Sequence, residues 1–178
     1  MKQEVASFLD YVAHSPTVFQ ATQQACDMLD AAGFTRLSEH EAWEILPGGR
    51  YYVTRNRSAL VAFTVPENGF THCQIVASHG DSPTFKLKAH AEGEAAGAYI
   101  RLDVERYGGM IMSTWFDKPL SIAGRALVRE NGKLVTKLID LDRDAALIPN
   151  MPIHFNRDIN NGYSYNPQVD MLPLFGDK

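Results

Sequence analysis

Cysteine is nearly absent: the 178 residues hold only Cys26 and Cys73, far too few for the disulfide framework of a small secreted domain. Their flanks, QACDM and THCQI, carry neither metal-ligand spacing nor a redox pair. Both therefore read as small buried hydrophobes in a reduced, cytoplasmic protein. Long apolar runs are missing too. Glu4 and Asp10 interrupt the N-terminal stretch, which argues against a secretory signal, and no later stretch is long enough to span a bilayer. Charge runs of one sign do not occur. The 17 Lys and Arg against 21 Asp and Glu give a formal net charge of −4, leaving no basic footprint for nucleic acid and no acidic tail. What is present is a 45% apolar composition, enough for one sizeable core or for one domain with part of another.

Val5, Phe8, Leu9 and Val12 fall at helical spacing up to Ser15-Pro16, where the residue before proline is pushed out of the helical region. A second helical stripe, Val18, Ala21, Ala25, Met28, Leu29 and Ala32, ends at Gly33, the residue type suited to a left-handed helix cap. Ser38 followed by Glu41 fits a capping box opening a short helix through Trp43, stopped by Pro47-Gly48-Gly49. Tyr51 to Thr54 and Ser58 to Val65 read as a hairpin around Arg55-Asn56-Arg57, and the apolar run Cys73 to Ser78 reads as a central strand buried on both faces. Together these predict an α/β layer arrangement. After about Ala89 the small, Gly-rich AEGEAAGA has the texture of a linker, which places a boundary near residues 89 to 97. Strand candidates follow at Tyr99 to Glu105, Ile122 to Arg129 and Lys133 to Leu138, the last two joined by the hairpin signal Asn131-Gly132. This half is predicted to be all-β.

Ser78-His79-Gly80-Asp81-Ser82-Pro83 sits at the end of the predicted central strand, the edge where open α/β sheets place their ligands. In an extended segment, residues two apart share a side. His79 is then placed to bind a metal through one ring nitrogen while Asp81 holds the imidazole. The same letters also fit a satisfied histidine on a structural loop. Read instead as Gly80-Asp81-Ser82, a serine nucleophile needs a histidine oriented by a carboxylate, commonly from Asp-x-x-His. No histidine here has Asp three residues before it. The stretch Tyr107 to Leu120 lacks the glycine spacing of a phosphate loop. Its Trp115, Phe116 and Asp117 suit either an interface or pocket lining, or a bulged strand with buried aromatics. Ile148 to Arg157 offers His154 between prolines and an arginine.

Four stretches now stand in order: PGGRYYVTRN, HGDSP, YGGMIMSTWFDKPLSIAGR and IPNMPIHFNRDIN. Their order and separations resemble those of the M18 aspartyl aminopeptidase family, over about Phe8 to Gly176. HGD stands where HTD is usual, and Lys118-Pro119 where an Arg-Asp pair is common. The resemblance implies a two-zinc metallo-exopeptidase whose catalytic α/β domain is interrupted by an inserted β-rich dimerisation domain, with dimers building a tetrahedral dodecamer. It makes His79 the first zinc ligand and Asp81 the aspartate that orients it. His154 is similar to a dimerisation-domain histidine that reaches the neighbouring subunit's active site.

On this resemblance the fold class is α/β: a partial α/β/α metallopeptidase domain over residues 1–90, followed by part of a β-rich dimerisation domain over 91–178. The expected substrates are peptides with a free, acidic N-terminal residue, and the expected cofactor is zinc. The family's bridging aspartate, glutamate general base and remaining ligands lie beyond Lys178, so the chain alone is expected to be inactive. Self-association is expected through residues 98–178, with neither nucleic acid nor membrane as partner. The alternative is a non-catalytic self-association module.

Overall fold

Local sequence signals account for both helices in the computed structural model, which describes residues 2–178. Helix α1 spans Gln3–Ala13 and α2 spans Val18–Ala31. Thr17 caps α2 by accepting a hydrogen bond from the Phe19 amide, and Gly33 follows the helix at φ +78°, where a side chain would be strained. The strands are β1 (Thr35–Leu37), β2 (Arg50–Arg55), β3 (Ala59–Thr64), β4 (Thr84–Ala95) and β5 (Tyr99–Tyr107). After a short 3-10 helix at Met112–Trp115 come β6 (Pro119–Leu120), β7 (Ala123–Glu130), β8 (Lys133–Asp140), β9 (Ala146–Leu147) and β10 (Leu174–Asp177). The chain is thus mixed α/β. It divides into two compact units, one formed by residues up to Asp81 with Ala123–Ile139, the other by Ser82–Ile122 with Asp140–Lys178.

In the first unit β2 is the interior strand, parallel to β1 and antiparallel to β3. Pairing on both edges makes it the buried strand: Tyr52 is fully buried and Tyr51 nearly so. The β2–β3 connection turns on Asn56 and Arg57, both at positive φ, with the Ser58 amide donating to the Arg55 carbonyl. The most buried residues of α2 are Gln20, Thr22 and Cys26; of its apolar stripe Val18, Ala21, Ala25 and Leu29 are half-buried, while Met28 is 60% exposed. Gln20 is buried because its side chain is bonded on both ends. Its amide nitrogen donates to the carbonyls of Ile139 (2.9 Å) and Gly124 (3.4 Å), and its amide oxygen accepts from the Thr17 hydroxyl. Carbonyls of the β7–β8 hairpin thereby gain a partner away from water. Arg125 adds a second tie, stacking over the Phe19 ring at 4.3 Å and donating to the Asn56 carbonyl and side chain.

In the second unit five strands run β4-β5-β10-β9-β6, and every pairing is antiparallel. Its core is Phe116, Ile148 and Met171, with Phe85, Met112, Trp115, Leu120 and Tyr165 packed against them. The Asp117 amide donates to the Ile148 carbonyl, and the Asp117 carboxylate accepts from the Asn150 amide at 2.9 Å. Two loops of the sequence are joined by that clamp.

Four sequence expectations fail, each for a physical reason. Residues 38–43 form a turn and not a helix: the Ser38 carbonyl accepts from the Glu41 amide at 3.3 Å and from the Trp43 indole at 2.7 Å, and the Ser38 hydroxyl accepts from the His40 amide, bonds that close a tight local turn in place of a helical ladder. Residues 91–98 are no linker: they finish β4 and turn into β5 through Ala96 and Gly97, both at positive φ. Tyr107 to Leu120 is a 3-10 turn that buries Phe116, in place of a bulged strand. Most consequential, Cys73–Ser78 has no regular secondary structure and belongs to no sheet, and Cys73 itself is exposed. Among the described residues no strand lies alongside it, and an apolar run becomes a strand only when something pairs with its backbone.

Tyr52 yields a test of the first unit. Its hydroxyl donates to the Asp30 carboxylate at 2.7 Å, and burial, reinforced by that bond and by the carboxylate charge, pushes the phenol from 10.0 to about 12. The folded chain holds this proton more tightly than the unfolded chain. The stabilisation is therefore complete below the ordinary phenol value and is lost as pH rises toward the folded one. Tyr52→Phe is expected to cost about 1 kcal/mol at neutral pH. Urea midpoints measured on both proteins should converge as the phenol ionises, and a gap independent of alkaline pH refutes the assignment.

Candidate functional site

His79 and Asp81 lie in the extended segment that follows Ser78, and the structure brings their side chains together. The His79 Nδ1 is 2.7 Å from the Asp81 carboxylate oxygen Oδ1 and 3.0 Å from the Asp81 backbone carbonyl. The Asp81 amide also points at Nδ1, from 3.4 Å, and a proton assigned to Nδ1 satisfies the two shorter contacts to oxygen. The other nitrogen, Nε2, is left with its lone pair on an imidazole that is 82% exposed, whereas the Asp81 side chain is 23% exposed. A carboxylate holding one nitrogen while the other stays open is how metal-binding histidines are oriented. Gly80 separates the pair, and a Cβ at this position would come no closer than 4.0 Å to Val18.

This geometry differs from the expected one in its support. His79 does not sit at the end of a sheet strand, since Cys73–Ser78 is unpaired. The pair suits one ligand position of a metal site and no more. Among the described residues, no group of three or more His, Cys, Asp or Glu side chains is arranged to hold a metal ion.

His154 lies in the second unit, on an exposed turn where the Phe155 and Asn156 amides donate to the Pro152 carbonyl. Beside this turn is a cavity of about 230 Å³ lined by Phe116, Asn150, Phe155, Tyr163, Tyr165 and Asp170, among others. The Tyr163 hydroxyl donates to the Asp170 carboxylate at 3.2 Å, and desolvation followed by that negative charge raises the phenol pKa. Tyr165 stacks against Phe116 at 4.9 Å between centroids and meets Tyr163 edge-on at 5.2 Å. Sequence reading passed over these tyrosines. Their signal was present, since Tyr163 and Tyr165 are two apart in a segment without helical period and so share a side. Another cavity, of about 410 Å³, is polar, with Arg36, Glu39, His40 and Arg57 on its wall. It contains none of His79, Asp81 and His154.

Residues 11–177 match the family described as Aminopeptidase I zinc metalloprotease (M18). The chain belongs to that M18 family. It is 44% identical over 186 aligned residues to the "Probable M18 family aminopeptidase 2" of Clostridium acetobutylicum, an alignment covering 99% of this chain and 42% of that protein. The chain therefore spans less than half the length of this relative. Among solved structures it is similar to that of the Ape4 and Nbr1 complex, with 38% identity and TM-score 0.90 over 97% of this chain and 34% of the other. It is also similar to that of the mApe1 dodecamer of S. cerevisiae, with 26% identity and TM-score 0.79 over 97% and 38%.

The Asp81 contact makes a definite forecast about His79. Asp81→Ala removes the closer acceptor from Nδ1 and leaves the backbone carbonyl, so the share of neutral imidazole protonated at Nδ1 should fall. Nitrogen-15 NMR of the ring reads this directly. An unchanged tautomer ratio refutes the orienting role of the carboxylate.

Proposed function

We propose that this chain supplies part of the active site of a two-zinc aminopeptidase that removes acidic N-terminal residues from peptides. The observation that carries the reading is the His79–Asp81 pair, with Nδ1 held by the carboxylate and Nε2 open. Membership of a family described as a zinc metalloprotease supplies the metal and the reaction class. In this reading His79 is a zinc ligand and Asp81 the group that orients it and supports its basicity. His154, exposed on its turn, serves a neighbouring subunit's active site. The chemistry that zinc supplies when bound is polarisation of the scissile carbonyl and acidification of a water molecule. This chain's own part is to hold one ligand in one tautomer.

Residues 1–90 take the catalytic role in this proposal and residues 91–178 the dimerisation role, within a self-associating assembly of the kind seen for S. cerevisiae mApe1. The proposed location is the cytoplasm, supported by the low cysteine content. No helix among the described residues is long and apolar enough to cross a membrane. The chain alone is proposed to hydrolyse peptides negligibly, because one histidine and one aspartate do not make a binuclear cage.

Release of N-terminal Asp or Glu from short peptides, assayed with zinc, cobalt or manganese, tests this. No turnover above blank is expected. Turnover that is abolished by His79→Ala means that the site is complete within this chain and built differently. In the same samples light scattering should report a dimer or larger species that is lost on removing residues 98–178. A monomer across a wide concentration range refutes the assembly proposal. Near-stoichiometric tight zinc without hydrolysis supports a metal site, whereas no zinc with intact self-association supports the non-catalytic module.

A further inference from the structure

We infer that the aromatic cavity beside His154 binds the alkylated ammonium head group of a small molecule, a binding activity that does not depend on the peptidase reading. Ring geometry and a carboxylate with no cationic partner lead to it.

Phe116, Phe155, Tyr163 and Tyr165 all line this space of about 230 Å³. Tyr165 is tilted by 36° against Phe116, and Tyr163 stands at 80° to Tyr165. Rings set nearly at right angles offer their electron-rich faces from two directions, which suits a compact tetrahedral cation. A planar guanidinium stacks on one ring face and leaves the perpendicular one uncovered. The volume also limits the occupant. It lies below the range of pockets that take drug-sized ligands, so it admits a head group and no folded segment.

Asp170, half-buried, lines the same cavity. Its Oδ2 accepts from the Tyr163 hydroxyl at 3.2 Å and from the Asn166 amide at 2.7 Å. Among the described residues no hydrogen-bond donor reaches Oδ1, and no Lys, Arg or His forms an ion pair with this carboxylate. A carboxylate set among aromatic rings without a cation from its own chain is complementary to a ligand that brings the positive charge. The group is also held in place before any ligand arrives. Its bond to the Asn166 amide closes a turn in which the Asn166 side-chain oxygen accepts from the Gln168 amide at 3.0 Å, and the next residue, Met171, is fully buried in the core. A site fixed in this way loses little entropy on binding.

Choline is the probe, titrated into the full chain and followed by proton NMR. Its methyl signal should move upfield and saturate, as protons packed over ring faces do, while the ring signals of Tyr163 and Tyr165 shift with the same dissociation constant. The neutral isostere in which carbon replaces the choline nitrogen has the same shape without the charge, and should bind at least about tenfold more weakly. Asp170→Asn keeps an acceptor for the Asn166 amide and should weaken choline binding at least about fivefold. Phe155→Ala is the second variant. That side chain is 78% exposed, so thermal unfolding should be unchanged while choline affinity falls about threefold. No saturable shift, equal affinity for the neutral isostere, or affinity untouched in both variants overturns the inference. So does tighter binding by a short lysine-containing peptide that choline displaces, because the occupant is then a peptide side chain. A light-scattering mass that falls as choline binds overturns it as well, since a second copy then fills the cavity.

Discussion

A β-strand cannot satisfy its own backbone, and that constraint decides which parts of this chain are core. Burial follows pairing more closely than it follows side-chain character. Strand β2 has neighbours on both edges and carries the buried Tyr51 and Tyr52, whereas β3, paired on one edge, leaves Val61 61% exposed. In the other unit β5 lies between β4 and β10 and buries Val104. Cys73–Ser78, with four apolar residues of six, pairs with no strand among the described residues, and its Ile75 and Val76 are open to water. The free energy of burying such side chains, roughly 1.5–3 kcal/mol each, is realised only once a second strand has taken the backbone groups.

Polar contacts then do what the small sheets cannot. A two-stranded ribbon such as β7–β8 is at best marginally stable by itself. Here its carbonyls at Gly124 and Ile139 are met by the Gln20 amide, and its Arg125 reaches Phe19 and Asn56. This is why α2 buries Gln20 and Thr22 while Met28 stays outside. Removing the glutamine would leave backbone groups without a partner, a larger loss than the bond itself is worth. The Asp117 clamp on Ile148 and Asn150 plays the corresponding part beside the core of the other unit.

Elements whose signals are local were legible in the sequence. Both helices end where Ser15-Pro16 and Gly33 say they should, and the hairpin turns at Asn56-Arg57 and Asn131-Gly132 adopt the positive φ angles their residues suit. Elements that depend on a distant partner were not. The capping-box pattern at Ser38 closes instead into a tight turn held by the Glu41 and His40 amides and the Trp43 indole, and the composition of residues 91–98 concealed the long β4–β5 hairpin. At the candidate site the Asp81 contact was legible, because a spacing of two in an extended segment is itself local. The aromatic cavity beside His154 was not, because it gathers Phe116, Phe155 and Tyr163 from separate loops.

The site inherits this division between local and distant control. The Asp81 carboxylate, carbonyl and amide all reach the His79 Nδ1 from two residues away, so the contacts that orient the ring lie within the segment. Its location is another matter. A ligand must be held to within about half an ångström of its working position, and an 82% exposed imidazole on an unpaired stretch has no such support. Because Ser78 is covalently joined to His79, the path of Cys73–Ser78 fixes where the imidazole can lie.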